Sequence, residues 1–120
     1  MNKRQIGKNQ ENRAVTFLEQ LGYFIIQQNF HTRLGEIDII AKDKDTLVFV
    51  EVKYRKSNKF GLGSESISRK KIRTLGLVSQ IYIQDNHINE NTDIRFDVIV
   101  ITGKEIEHLK SAIDFSGIFP

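Results

Sequence analysis

The chain contains no cysteine and only three histidines, which narrows the chemistry available to it. Without cysteine there can be no disulfide bond, thiolate zinc site or cysteine nucleophile. His31, His87 and His108 stand too far apart in the sequence to form a local pair of metal ligands. A metal ion bound by this chain would therefore be held by oxygen.

Long hydrophobic runs are also lacking, since no stretch approaches the roughly 20 apolar residues that a membrane-spanning helix requires. The segment that starts at Met1 is polar and has no apolar signal-peptide core. The only proline is Pro120, and no internal repeat or linker is present. We therefore expect one domain over residues 1–120, a cytoplasmic location and no membrane partner.

Charge is unevenly distributed along the chain. Residues 1–75 hold 15 Lys and Arg against 8 Asp and Glu, whereas residues 76–120 hold 3 against 7. The first part carries a charge of +7 and the second −4, within a total of +3. A basic segment favours binding to polyanions such as nucleic acid, although exposed lysines that only aid solubility explain the charge equally well.

Hydrophobic periodicity predicts two helices and four strands. Apolar residues from Ala14 to Leu21 recur at helical spacing and stop at Gly22, while a second helix has Ser66 or Ser68 available as its cap. The strand segments are rich in β-branched and aromatic residues. The predicted elements are helix 4–21, strands 23–30, 35–41 and 46–55, a loop at 56–65, helix 68–84, strand 94–101, and a short strand or helix after Gly103. The order α-β-β-β-α-β indicates an α/β or α+β domain.

Three charged residues interrupt strands that otherwise read as buried. Glu51 and Lys53 share one face of strand 46–55, and Asp38 lies within the apolar run 35–41. The short connector 42–45 predicts an antiparallel hairpin, which would bring Asp38 next to Glu51. A charged side chain buried in this way must be paired with an opposite charge, lose its charge through a change of protonation, or take part in binding or catalysis.

Glu11 adds a further carboxylate, because its spacing to Ala14 and Leu18 places it on or beside the inward face of the first helix. Clustered carboxylates repel one another unless a cation lies among them, and an all-oxygen ligand set suits Mg²⁺ or Mn²⁺. Lys53 would orient a water molecule or offset charge on phosphate oxygens. The alternative is an ordinary ion pair between Glu51 and Lys53, beside an exposed Glu11.

Several motifs together resemble a known family. They are an acidic residue in the first helix, Gly35-Glu-Ile-Asp38, Val48-Phe-Val-Glu-Val-Lys-Tyr-Arg55, Lys70-Lys71 and Arg95-Phe-Asp-Val98. The chain resembles the bacterial YraN-like proteins, which are similar to archaeal Holliday-junction resolvases and to the PD-(D/E)xK nucleases. The resemblance implies a restriction-endonuclease-like core, a mixed β-sheet flanked by helices. It also implies that Glu11, Asp38 and Glu51 bind metal and that Lys53 is the catalytic lysine.

A basic surface should continue from this site. Cations at the start of the second helix oppose its dipole, which makes sense if a backbone phosphate binds there; a solvated basic face is an equally good explanation. The predicted nucleic-acid-binding residues are Arg33, Arg55, Lys56, Lys59, Arg69, Lys70, Lys71 and Arg73. A structural ion pair is one explanation of Arg33 with Glu36 and the explanation that we prefer for Arg95 with Asp97, and we assign no role to His31.

These observations support three hypotheses about function. The first is a Mg²⁺-dependent endonuclease that cleaves DNA, including branched DNA, for which two symmetric cuts would fit a homodimer. The second is a nucleic-acid-binding module that keeps the nuclease fold and uses no metal. The third is a protein-interaction subunit whose acidic C-terminal part docks a partner.

Overall fold

The computed structural model describes residues 3–55 and 67–115, and this part of the chain forms two helices and five strands. They are α1 (Lys3–Gln20), β1 (Phe24–Thr32), β2 (Gly35–Asp43), β3 (Thr46–Arg55), α2 (Arg69–Asp85), β4 (Ile94–Thr102) and β5 (Glu105–Leu109). The predicted order is confirmed, and the segment after Gly103 is a strand. The predicted loop 56–65 lies outside the described residues. Neither α1 nor α2 has the length and apolar character needed to cross a membrane.

The strands form one mixed sheet in the order β1-β2-β3-β4-β5. β3 and β4 are parallel, and every other neighbouring pair is antiparallel. The predicted hairpin is confirmed: Asp43 pairs with Thr46 across a two-residue turn, in which Lys44 has a φ of 56°. Helix α2 is the crossover that the parallel pair requires.

Helices α1 and α2 cover opposite faces of the sheet, and each face has its own apolar core. Val48 and Val50 of β3 pack in the cluster that contains Ala14 and Leu18 of α1. The intervening Phe49 packs in the cluster that contains residues of α2. The alternation predicted for β3 is therefore confirmed, because successive side chains of a strand point to opposite faces. Glu51 and Lys53 follow Phe49 on the α2 face.

β2 and β3 separate at one end of their hairpin. Their pairing runs from Asp43–Thr46 to Ile39–Val50 and stops there, while β2 continues to pair with β1 as far as Gly35. Strict alternation along a strand would place Ile37 on the same face as Ile39, yet Ile37 packs in the α2-side cluster and Ile39 in the α1-side cluster. Once β2 is no longer bound to β3 it is free to twist. This fork is where Asp38 lies.

Close packing holds α2 against the start of β2. Gly35 has a φ of 152°, and a Cβ atom there would come within 2.4 Å of Thr74 Cγ2 on α2. A side chain at this position would push the helix away from the sheet. The helix begins with Ser68 as its cap, whose Oγ accepts a hydrogen bond of 3.1 Å from the Lys71 backbone N–H. Ser68 is thus the cap among the two predicted candidates.

Candidate active site

Asp38 bridges the fork between β2 and β3. Its Oδ2 accepts a hydrogen bond of 2.8 Å from the backbone N–H of Val52, beyond the last paired residues of the two strands. The side chain thereby satisfies a backbone donor that the separating strand leaves without a ladder partner. Asp38 is half-buried and fixed in orientation by this bond.

The carboxyl groups of Asp38 and Glu51 lie against each other, as the hairpin predicted. Glu51 is buried, with its side chain only 9% exposed. Burial raises the pKa of Glu51 to about 8, and hydrogen bonding and charge repulsion from Asp38 contribute to the increase, while Lys71 partly opposes it. Two carboxylates in contact cannot both ionise easily, so this pair favours a bound cation or a shared proton.

In this structure the positively charged neighbour of Glu51 is Lys71 of α2. Its Nζ lies 3.1 Å from Glu51 Oε2. The ammonium group approaches Oε2 at a poor angle, so this oxygen, although shielded from solvent, has no well-aligned hydrogen-bond donor within the described residues. Buried carboxylate oxygens normally have directed donors. The hydrogen-bonding capacity of Glu51 Oε2 is therefore incompletely satisfied.

Glu11 lies beside the pair on α1. Its Oε1 accepts a hydrogen bond of 3.4 Å from Gln28 Nε2, and burial and the charge of Asp38 raise its pKa above the ordinary value. Across residues 3–55 and 67–115, however, no three Asp, Glu or His side chains are grouped closely enough to enclose a metal ion. Mg²⁺ commonly takes one or two carboxylates and completes its shell with water and substrate phosphate. The chemistry of Asp38 and Glu51 fits that requirement.

A cleft opens beside Glu51. It has a volume of about 340 Å³ and is lined by Glu51, Lys53, Ile67, Ser68 and Lys71. Lys53 is half-buried on the same face of β3 as Glu51. The cleft therefore places two ammonium groups and the N-terminus of α2 around one buried carboxyl group, an arrangement that can bind an anion such as phosphate beside a cation.

Comparison with known proteins identifies the family of the chain. The model for "Uncharacterised protein family UPF0102" matches residues 10–101. The chain belongs to UPF0102. It is similar to a UPF0102 protein of Sulfurihydrogenibium sp., with 43% identity over 93% of this chain and 96% of the relative. A UPF0102 protein of Lachnoclostridium phytofermentans is 41% identical over 98% and 99%, and one of Caldicellulosiruptor bescii is 50% identical over 84% and 85%.

The part of this UPF0102 chain that matches the family includes the whole predicted site. Glu11, Asp38, Glu51 and Lys53 all lie within residues 10–101. The structure brings Asp38, Glu51 and Lys53 to one cleft and its neighbouring fork, with Glu11 next to Asp38. Their roles in metal binding and catalysis stay predictions.

The predicted basic surface of the UPF0102 chain is only partly described. Lys56 and Lys59 lie outside the described residues. Arg33, Arg69, Lys70 and Arg73 are exposed, whereas Arg55 is half-buried. Lys71 differs from the others because it lies in the cleft on Glu51. Nothing in the sequence indicated this contact, since it depends on how α2 packs on the sheet. The basic surface stays a prediction.

A second group of charges lies on the α1 side of the sheet. Arg95 donates to both carboxylate oxygens of the fully buried Asp97, to Asp43 at 3.0 Å and to the Tyr23 hydroxyl. His108 Nε2 lies 2.8 Å from Asp97 Oδ2. The predicted pair of Arg95 and Asp97 is confirmed, but its other members were not anticipated.

Among the contacts of the described residues, Glu36 pairs with His31 and not with Arg33. Glu36 Oε2 lies 3.4 Å from His31 Nδ1, and both side chains are largely exposed. His31 therefore has an electrostatic neighbour across the β1–β2 turn. A surface pair of this kind contributes little to stability.

Proposed function

We propose that this UPF0102 chain is a Mg²⁺-dependent phosphodiesterase that cleaves DNA, with Asp38 and Glu51 holding the ion. The observation that carries the proposal is the contact between these two carboxyl groups at the fork of β2 and β3. One of them is buried, and one of its oxygens has no well-aligned hydrogen-bond donor within the described residues. Buried, mutually repelling carboxylates destabilise a fold unless a cation or proton compensates them. Mn²⁺ would serve as well as Mg²⁺.

The ion would supply Lewis-acid polarisation of the phosphodiester and a more acidic water. The chain's own residues perform the remaining tasks. Lys53 holds a positive charge beside Glu51, where it offsets negative charge that develops on the phosphate oxygens in the transition state. Asp38, held by the Val52 N–H, presents its carboxyl group to Glu51. Glu11 adds negative charge next to Asp38 and favours retention of a cation.

The substrate proposed for this site is the DNA backbone. The first turn of α2 carries no acidic residue, and its N-terminus opens on the cleft. Backbone N–H groups and exposed cations such as Lys70 can bind a phosphate there without contacting a base. Such a surface recognises the shape and charge of the DNA backbone and not the base sequence. Branched DNA differs from duplex DNA in shape, which supports the proposal of branched DNA as a substrate. Two symmetric cuts in a branched substrate would need two copies of the chain.

A cleavage assay tests the proposal. The substrates are a supercoiled plasmid and a synthetic four-way junction, each with Mg²⁺, with Mn²⁺ or with a chelator. We expect cleavage only with metal and at least a hundredfold loss in Asp38→Asn and Lys53→Met. Matched controls are Asp45→Asn and Lys44→Met, which change the exposed β2–β3 turn and should cleave normally. Cleavage that survives Asp38→Asn and Lys53→Met would refute the proposal.

A metal-free nucleic-acid-binding module is the second candidate. The contact between Lys71 and Glu51 favours it, because a lysine already occupies the carboxyl oxygen that a metal would need. This candidate predicts binding to DNA that weakens steeply with salt and does not change with chelator or in Asp38→Asn. A fluorescence anisotropy titration at two salt concentrations distinguishes it from the nuclease.

A further inference from the structure

Lys71 is placed where its own helix does not favour a cation. It is the third residue of α2, and its backbone N–H donates to the Ser68 cap. Acidic side chains stabilise this position, both through the helix dipole and as the usual partner in a capping box. A lysine here is explained by an anion outside the helix, and Glu51 is that anion in this structure.

The two side chains in the contact between Lys71 and Glu51 also differ in their exposure to solvent. The Glu51 side chain is 9% exposed and cannot exchange Lys71 for water, whereas the Lys71 side chain is 39% exposed and faces an open cleft. The ammonium group can therefore leave the carboxylate without being buried elsewhere. A lysine side chain is long and flexible, so the movement requires only rotation about side-chain bonds.

We propose that Lys71 is a built-in competitor of the divalent ion: it occupies Glu51 Oε2 in the metal-free protein and is displaced from it when the ion binds. The inference rests on the proposed function, because it takes Glu51 as a ligand. An ammonium group and a divalent cation repel each other when both approach one carboxylate oxygen. Displaced Lys71 stays in the cleft with Lys53, where its charge becomes available to a phosphate.

The proposal assigns Lys71 a positioning and regulatory role at this site. Metal-free protein keeps Glu51 ordered through the lysine and does not need a metal ion to fold. The affinity for metal is lowered by the cost of displacing Lys71. A phosphate that takes up the displaced lysine would recover that cost, so the metal and a nucleic acid should bind cooperatively.

Calorimetric titration of Mn²⁺ into protein without nucleic acid tests the competition directly. We expect Lys71→Met to bind Mn²⁺ about tenfold more tightly than the wild type at low ionic strength, because a competing cation has been removed. Lys70→Met is the matched control: it removes an exposed cation from the same turn and should change the affinity less than about twofold. Lys71→Gln gives a second test if Lys71→Met does not fold.

Thermal denaturation supplies a readout that is independent of activity. Chelator-treated Lys71→Met should melt below the wild type, since Glu51 loses the ammonium group that contacts its Oε2, and saturating Mn²⁺ should raise its Tm more than that of the wild type. Unchanged or weaker Mn²⁺ binding in Lys71→Met and Lys71→Gln would overturn the inference while leaving the proposed function intact. Absence of Mn²⁺ binding in the wild type and in both variants would contradict the inference and the metal-dependent function together.

Discussion

Asp97 and Glu51 are buried carboxyl groups on adjacent parallel strands, and they differ in the hydrogen bonds that their neighbours donate. Asp97 faces α1 and receives hydrogen bonds from Arg95, from His108 and from the backbone N–H of Ser111. Glu51 faces the cleft beside α2, contacts another carboxyl group and has one flexible lysine. Both are buried in the same sheet, but only Asp97 has a complete set of donors.

The pKa values of the two groups reflect this difference. Burial alone would raise the pKa of Asp97, but hydrogen bonds from His108, Arg95 and Ser111 outweigh burial and lower it. For Glu51, burial and Asp38 act in the same direction and raise the pKa to about 8. A fully bonded carboxylate strengthens the fold, whereas an incompletely bonded one costs stability and is typical of a functional site.

The largest expected effect tests whether Asp97 stabilises the fold. Asp97→Asn should lower the free energy of unfolding by about 3 kcal/mol, because Arg95 remains buried without its main partner. The measurement is urea denaturation at pH 7, with Asp93→Asn, an exposed residue before β4, as the control. Cleavage per folded molecule should not change. A loss below about 1 kcal/mol would show that the Asp97 group is not the stabilising one.

Glu51→Gln should give the opposite result. We expect cleavage to fall at least about a hundredfold, since the amide cannot replace a carboxylate ligand, while the stability of chelator-treated protein stays equal or increases. Single-turnover cleavage and urea denaturation of the same preparation measure both effects. If Glu51→Gln lost as much stability as Asp97→Asn, the two sites would not differ in kind.

The pH dependence of stability should also have opposite signs at the two sites in chelator-treated protein. Because its folded pKa is raised from 4.5 to about 8, Glu51 contributes stability that is complete below pH 4.5 and is lost as pH rises through about 8. Asp97 has a lowered folded pKa, so its contribution is present above the ordinary value of 3.8 and is lost as pH falls through the folded pKa.

Denaturation of the wild type and Glu51→Gln between pH 5 and 8 measures this difference. The stability of Glu51→Gln relative to the wild type should increase by up to about 1.4 kcal/mol for each unit of pH. Asp97 is ionised in both states over this range, so the titration of Asp97 itself adds no slope to the difference between Asp97→Asn and the wild type. A constant difference for Glu51→Gln would contradict the raised pKa.

The smallest expected effect concerns the helix that carries Lys71. Ser68→Ala removes the cap that accepts from the Lys71 N–H and should lower stability by about 1 kcal/mol. Ser68→Asp, which retains a capping oxygen, should recover most of this loss. Thermal denaturation of the three proteins is sufficient, and an equal loss in Ser68→Asp would show that capping is not the cause.

The sequence by itself determined the elements, their order and the faces of β3. These features depend on local periodicity, which is encoded by residues a few positions apart. The contact between Asp38 and Glu51 was predicted from the short connector 42–45, and the structure sets its register through the two-residue turn that pairs Asp43 with Thr46. The family could likewise be identified from motifs within these strands.

Only the tertiary structure decided which partners the charged side chains have. Lys71 reaches Glu51 because α2 packs closely on the sheet at Gly35, and the sequence indicated only a basic turn of helix. Tyr23, Asp43 and His108 join Arg95 and Asp97 from elements far apart in the chain. Side-chain periodicity assigns a residue to a face, but its contacts across that face depend on how remote elements are packed.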